Sequence, residues 1–551
     1  MSQPFRLNKE GLINRNKKIS FTFNGKKLFG YEGDTIASAL IANGIHLVGR
    51  SFKYHRPRGF FGAGVEEPNA KLQVEFNGHS EPNVNATEME LVEGLSATSQ
   101  NCWPSVNFDI GAINNFLKMF FPAGFYYKTF MWPKSFWYKI YEPFIRKAAG
   151  LGVASIEKDK ERYEHKFEYC DLLVTGSGPS GLASAYAAAK NGAKVILAED
   201  KPRFGGTLLT DDVSIDNLSG KDWAEKIITE LKSMPNVTVK NRSQVFGYYD
   251  HNMLVMFERV SDHLEKKSKF TPRQRLWYIR AKETILSTGS IERPIVFGNN
   301  DTPGIFLSAA AKEYMKVYGV LVGKKPLIFT NNDSAYETAL EFKKNNVEPI
   351  ILDTREEHSS ELIDEAKSKG IDIRFSHGVI VANGYKKVKS AKIGKLNKDK
   401  NSFEKIETVD CDCICVSGFW TPSVHLASQS GNKLKYEEKI DAFIPDKKKQ
   451  HETSVGAANG SFTLEESLKN GFENGSNLSA KITDTKTEIA IPNVNEKKYG
   501  AHDKFWCMPL PKNENPKRFV DFQNDVSVSD IEIALRAVSY THLTLPTKDY
   551  V

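Results

Sequence analysis

Residues 171–206, DLLVTGSGPSGLASAYAAAKNGAKVILAEDKPRFGG, constrain this chain more than any other stretch. The apolar run Leu172-Leu173-Val174 reads as a buried parallel strand. Gly176, Gly178 and Gly181 then spell G-x-G-x-x-G, and an alanine-rich helix opens at Pro179 and stops at Gly192. A second strand, Lys194–Ala198, is closed by Glu199. In such a unit the first glycine permits the tight turn, the second lets backbone approach a diphosphate, and the third lets helix lie close on strand. The helix N-terminus around Ser177, Pro179 and Ser180 offers N–H groups and partial positive charge to the diphosphate. Glu199, roughly 20 positions on, suits the hydroxyls of an adenosine ribose, and Asp200 beside it would repel a 2′-phosphate. Strand, glycine turn, helix, strand and acid together predict a dinucleotide-binding unit, with FAD and NAD both open.

Later segments extend this reading. Gly205-Gly206-Thr207 follows the second strand, and ETILSTGSIERP (283–294) places Thr288 and Gly289 at a strand end near the first site, with Arg293 as a further cofactor contact or an ion pair. VGAANG (455–460) precedes an amphipathic helix and reads as a return segment, so Gly456 and Asn459 are expected at the same cleft. A second βαβ unit is expected over 322–353, with strand Lys325–Phe329, helix Ser334–Lys344 and strand Val347–Leu352 ending at Asp353. Its turn reads TNNDSA where glycines belong, and Asn and Asp side chains fill space that a diphosphate needs. A structural remnant is the expectation there.

The first hundred residues differ in style. ISFTF, the turn Asn24-Gly25, a second short strand and a helix capped by Asp34-Thr35 suggest a β-grasp module. The loop at 50–70 corresponds to the cysteine loop of plant-type ferredoxins, yet no cysteine precedes Cys102. An iron–sulfur cluster is therefore not expected. Cys411, Cys413 and Cys415 sit at alternate positions of one strand and read as core packing, and His425 as a packing or hydrogen-bonding residue. No C-x-x-C pair, metal-ligand spacing, P-loop or serine elbow occurs. The aromatic run 116–147, interrupted by Pro122, Pro133 and Pro143, reads as a packing bridge or as a contact surface for a partner subunit or a flavin, and 156–169 as a charged linker.

Composition narrows the class. Hydrophobic residues make up 40% and charged residues 26% of 551, which excludes a disordered chain and a polytopic membrane protein. The net charge of +7 is scattered rather than blocked, so neither nucleic acid nor membrane is an expected partner. MSQPFRLNKEG lacks the apolar core of a leader, which makes a reducing cytoplasm the expected location.

With those residues in view, a longer set of stretches resembles one family. GDTIASALIANG (33–44), SFKYHRPRG (51–59), PAGFYYKTFMWP (122–133), the 171–206 segment, STGSIERPIVFGNNDTPGI (287–305), FTNNDSAY (329–336), VSGFWTPSVHLASQSG (416–431), VGAANG and FVDFQNDVSVSDIEIALR (519–536) are together similar to the alpha subunits of heterotetrameric sarcosine oxidase. Opine and proline dehydrogenase subunits share parts of the pattern. The resemblance implies oxidative demethylation of sarcosine to glycine, with hydrogen peroxide and 5,10-methylenetetrahydrofolate as products. It implies NAD at the first loop (FAD being the alternative), FMN at the interface with a beta subunit, and FAD with the amine site on that beta subunit. Gamma and delta subunits complete the assembly, and no residue of this chain is expected to be catalytic. The fold expected is α/β: a two-dinucleotide FAD/NAD(P)-binding Rossmann-like fold preceded by a cluster-free 2Fe-2S-ferredoxin-like β-grasp domain. Its expected divisions are 12–105 for the β-grasp domain, 106–168 for bridge and linker, 169–300 and 409–485 for the first Rossmann unit, and 301–408 for the inserted second unit. Residues 486–536 would lead toward an aminomethyltransferase-like folate domain that this sequence lacks, and 537–551 (AVSYTHLTLPTKDYV) read as an artefactual tail. A different amine substrate or a stand-alone FAD-dependent NAD(P)H oxidoreductase is the rival reading.

Overall fold

The computed structural model describes residues 2–76, 78–116, 132–148, 150 and 152–536. Most of the PAGFYYKTFMWP stretch and all of the tail at 537–551 lie outside the described residues.

The N-terminal module is a five-stranded sheet in the order Lys26–Glu32, Asn14–Phe23, Ser96–Ser99, Lys71–Phe76, His79–Asn85. Asn24 and Gly25 turn the first hairpin with φ of 48° and 77°. Helix Ile36–Ala42 is buried at every position and packs against the sheet. Thr35 and Ser38 cap it reciprocally, each side chain accepting from the other's backbone N–H.

The first α/β unit carries a seven-stranded sheet. Val237–Lys240, Val195–Ala198, Tyr163–Thr175 and Gln274–Leu286 run parallel, and Met253–Arg259 and Ser243–Tyr249 add an antiparallel edge. The strand that feeds the glycine loop starts at Tyr163, well inside the stretch expected to be charged linker. Its first half pairs with Gln274–Arg280, and Phe167 stacks on Tyr278 at 5.0 Å. That cross-strand pairing outweighs the local charge density, which alone suggested a loop.

Between Leu286 and the late strand Glu452–Ser454, which returns to pair with Gln274–Leu286, the chain builds a second unit. Its five strands are all parallel, in the order Ile305–Leu307, Cys413–Ser417, Pro326–Thr330, Ile350–Asp353, Asp372–Phe375. Strand Cys413–Ser417 is buried throughout, as a central parallel strand should be, and burial pushes the nearby Cys411 thiol up to about 12. The second unit and the N-terminal module share one continuous apolar core, whereas the first unit keeps two separate clusters of buried residues. Helix Leu464–Thr483 packs on helix Pro179–Lys190 through Gly471 and Gly475, where a Cβ would lie 2.4 Å from Ser180 O and 2.3 Å from Ser184 O. Among the described residues no helix is long and apolar enough to cross a membrane.

Candidate functional site

A cleft of about 770 Å³ opens over the first glycine loop and reaches the second unit and residues Val65 and Glu66 of the N-terminal module. Gly176, at φ 99°, makes the turn; a Cβ there would lie 2.3 Å from Ser287 O. Gly181 is just as constrained, since a Cβ would lie 2.0 Å from Gly176 O. Gly178 is the opposite case: nothing lies within 4 Å of its Cβ position, and it lines the cleft. It caps helix Pro179–Lys190 without any side-chain hydrogen bond, so the helix N-terminus faces the cleft uncovered by its own side chains. Ser177, Pro179 and Ser180 line the same wall.

Glu199 ends the second strand and turns back to the loop. Its Oε2 accepts from Ser177 N at 2.8 Å and from Ser177 Oγ at 2.5 Å, and Lys201 N donates to Oε1 at 3.0 Å. Burial, with Asp200 beside it, holds its carboxyl above the usual carboxylate range. Glu199 and Asp200 both line the cleft. Gly206 (φ 55°) brings its backbone against Gly178, with a Cβ only 3.0 Å from Gly178 Cα, and Gly206 and Thr207 face the cleft. Gly205 lies behind them, packed toward Leu209 and Ala224. Thr288 Oγ1 donates to Ser423 O at 2.8 Å, and Gly289 (φ 70°) presents open space to the cleft.

Besides Gly181 and Gly205, which are set back from the cleft, three more expected contacts lie elsewhere. Arg293 is buried away from the cleft: Nε donates to Gly418 O at 2.6 Å, Nη1 donates to Asp441 O at 2.7 Å, and the guanidinium lies 4.2 Å from the Trp506 ring centroid. Its donors hold loop carbonyls, and Nη2 lies 3.7 Å from the Asp441 carboxylate, the ion pair that was one of its two expected roles. Gly456 (φ 63°) packs on Ser180, where a Cβ would meet Oγ at 2.4 Å, and Asn459 is exposed outside the cleft. Ala457, Ser461 and Phe462 supply that wall instead, because the turn after Gly456 points the next residues inward. His425, expected to pack or to hydrogen-bond, is exposed on the cleft wall and does the second, with Nδ1 3.3 Å from Ser423 Oγ.

The far wall was not visible in the sequence. Lys312 Nζ donates to Asp211 at 2.7 Å and to Glu337 at 2.5 Å, and Tyr499 OH donates to Glu337 at 2.8 Å. Glu292, 5% exposed, accepts from Ala309 N at 2.7 Å, and burial pushes its carboxyl up to about 7. These partners are far apart in the chain, and no local spacing joins them. Among the described residues no cluster of His, Cys, Asp and Glu could hold a metal ion.

The second unit's loop is filled by protein. Asn331, Asn332 and Asp333 are each 1% exposed. Asn332 Oδ1 accepts from Ser334 N at 3.0 Å, taking the first amide of helix Ser334–Lys344. Asn331 Nδ2 donates to Asp503 O at 2.7 Å, and Asp333 accepts from Gly500 N at 2.7 Å. Asp353, the acid at the second strand's end, is paired with Arg355 at 2.7 Å, and Arg355 also donates to Ala501 O at 2.9 Å. Residues 500–503 thus lie on the loop where a nucleotide would approach.

Two stretches of the chain match known families. Residues 16–102 match the family described as 2Fe-2S iron-sulfur cluster binding domain, and residues 171–251 match the family described as FAD dependent oxidoreductase. The solved L-proline dehydrogenase from P. horikoshii superposes with a TM-score of 0.61 over 98% of this chain and 90% of that one, at 18% identity, a likeness of fold. The sarcosine oxidase subunit alpha of Rhizobium meliloti (strain 1021) is 42% identical over 98% of this chain and 53% of its own length. That of Corynebacterium sp. (strain U-96) is 30% identical over 96% of this chain and 51% of its own length. The chain spans about half the length of these curated relatives. With an open glycine loop in the first unit and a filled one in the second, the chain is a homologue of sarcosine oxidase alpha subunits along nearly its whole length.

Proposed function

We propose that this chain is the nucleotide-holding part of a sarcosine oxidase alpha subunit, working in a cytoplasmic complex with beta, gamma and delta subunits. The observation that carries this reading is the open helix N-terminus at Gly178 in a chain 42% identical to such a subunit. The cleft suits an adenine dinucleotide. Gly176, Ser177, Gly178, Pro179 and Ser180 would receive the diphosphate at the helix N-terminus, with Gly181 packed behind them. Glu199 would exchange its bond to Ser177 for ribose hydroxyls, and Asp200 beside it disfavours a 2′-phosphate. Gly206, Thr207, Thr288 and Gly289 would flank the other half. NAD is the ligand we favour, because the second loop is filled and a two-nucleotide reductase needs both; FAD is the alternative at the same place.

A bound pyridine nucleotide supplies hydride-transfer capacity. The chain's own residues hold, orient and screen it: Ser177 and Glu199 fix the ribose side, and the Lys312 ammonium bridges the Asp211 and Glu337 carboxylates at the far wall. No residue here is assigned to the amine itself. Sarcosine oxidation to glycine, with peroxide and 5,10-methylenetetrahydrofolate formation, would occur with FAD and amine site on the beta subunit and FMN at the alpha–beta interface. Folate chemistry would need a region beyond this chain. The exposed apolar side chains Trp103, Phe108, Phe116, Trp132, Tyr138 and Phe144 offer the partner subunit a surface. No iron–sulfur cluster is assigned to the N-terminal module, whose loop has no thiolate.

The test is to co-express the chain with beta, gamma and delta subunits, release the cofactors by denaturation and identify them by mass. One NAD per chain, together with sarcosine-dependent peroxide production, is the expected result. FAD in the chain isolated alone, with NADH-dependent dye reduction, would establish the stand-alone reductase instead. Peroxide formed from proline or an opine rather than sarcosine would place the complex among the related dehydrogenases.

A further inference from the structure

In ferredoxin-type modules the cysteine loop closes around an inorganic cluster, whose sulfurs take hydrogen bonds from the surrounding protein. Here the corresponding loop has no cysteine, yet it is closely organised. Glu67 is 2% exposed and stands at its centre. One carboxylate oxygen accepts from Phe61 N at 2.6 Å and Gly62 N at 2.8 Å; the other accepts from Asn69 N at 2.7 Å and Ala70 N at 3.1 Å. Glu66 Oε1 accepts from Ala63 N at 2.7 Å and Gly64 N at 2.9 Å. Six loop amides therefore converge on two consecutive carboxylates. Gly62 and Gly64 permit the approach, since a Cβ at either would lie 2.5 or 2.8 Å from a Glu66 carboxylate oxygen. The Phe61, Asn69 and Gly62 amides pull against its burial.

We infer that Glu67, seconded by Glu66, replaces the iron–sulfur cluster as the internal anion that organises this loop, and that it thereby positions one wall of the nucleotide cleft. The same arrangement explains how a module can keep a cluster-type loop after losing every ligand: the buried amides still need an acceptor, and a carboxylate supplies two oxygens for four of them. Burial pushes the group up to about 7 against the pull of the Phe61, Asn69 and Gly62 amides, so it carries its charge above that pH. The wall follows directly. Val65 and Glu66 line the cleft. Phe61 O accepts from Leu307 N at 2.7 Å, and Gly62 O accepts from Tyr314 OH at 2.9 Å. Both ties lead to helix Ser308–Lys316, which carries Lys312. The positioning role rests on the nucleotide reading above; the cluster-replacing role does not.

Hydrogen exchange read by mass spectrometry on the full chain tests this. In wild type, peptides covering 61–70 should exchange as slowly as those of the Asn14–Phe23 strand. Glu67→Gln removes the charge and turns an NH2 toward two donors. It should speed exchange in 61–70 by about tenfold or more while the strand keeps its rate, and weaken NAD binding several-fold. Glu67→Asp keeps the charge and should fall between the two. Wild-type peptides 61–70 exchanging like open chain, or Glu67→Gln with wild-type protection, would overturn the inference. Loosened amides with unchanged NAD affinity would overturn the positioning role. Should Glu67→Gln not fold, the wild type and Glu67→Asp decide. Should wild type bind neither NAD nor FAD, the nucleotide reading fails while the exchange data still judge Glu67.

Discussion

Two βαβ turns in this molecule descend from the same geometry and have opposite fates. At residues 175–181 the turn is built from glycines, its helix N-terminus carries no side-chain cap, and the second glycine looks onto empty cleft. At residues 330–335 the turn is built from Asn331, Asn332 and Asp333, which are buried and bonded, and residues 500–503 lie over it. The strand-helix-strand frame survives in both because it is held by core packing, and parallel strands here are buried on both faces. Ligand capacity depends on something cheaper to lose, the absence of side chains at a few positions. A Rossmann frame is therefore weak evidence of a nucleotide, and an open glycine at the helix N-terminus is stronger evidence.

The sharpest test sets two glycines of one loop against each other. Gly178→Val should lose nucleotide affinity by roughly a hundredfold, about 3 kcal/mol, because its side chain would enter the diphosphate space. Its thermal unfolding should stay near wild type, since nothing else occupies that space. Gly181→Val should do the reverse and cost stability, about 3 kcal/mol or more, through the 2.0 Å approach to Gly176 O. Calorimetry and nucleotide titration on both variants check this, and equal effects on both readouts would erase the distinction between the glycines.

A second test concerns the cleft's buried acid. Glu292 has a carboxyl raised from 4.5 to about 7, so the folded state holds its proton more tightly than the unfolded chain. Its stabilising contribution is complete below about 4.5 and is lost as pH rises through about 7, a change on the order of 3 kcal/mol. Glu292→Gln keeps an acceptor for Ala309 N and cannot titrate. Unfolding midpoints of wild type minus variant should therefore decline from pH 5 to pH 8; a flat difference would show that Glu292 does not titrate in that window.

The smallest effect returns to the second loop. Asn332→Gly removes the bonds to Ser417 and Ser334 and should cost about 1–2 kcal/mol. It should not create a nucleotide site, because residues 500–503 still lie over the loop. Nucleotide stoichiometry should stay at one per chain, and a rise to two would show that the asparagine alone closes the site.

The sequence spoke clearly where local chemistry sets the geometry. Gly176, Gly178 and Gly181 announced a turn, an open approach and a close packing, and each has that environment here, because each depends on backbone within a few residues. The Asn24-Gly25 hairpin and the Thr35 cap were legible for the same reason. Gly456 and Asn459 lie off the cleft because their surroundings, Ser180 and solvent, are chosen by how distant loops meet, and Arg293 takes its ion-pair alternative with Asp441. The strand beginning at Tyr163 was hidden by its charges until its partner at Gln274–Arg280 was in place.

By itself, then, the order of residues determined the dinucleotide frame, the lack of thiolate ligands in the N-terminal loop and the weakness of the second turn. Only the tertiary structure decided which walls face the cleft, that Lys312 meets Asp211 and Glu337, that residues 500–503 occupy the second loop, and that Glu67 gathers the amides of the first module. The reason is physical. A glycine's freedom belongs to its own backbone, whereas a buried charge is stable only beside partners that folding brings from far along the chain.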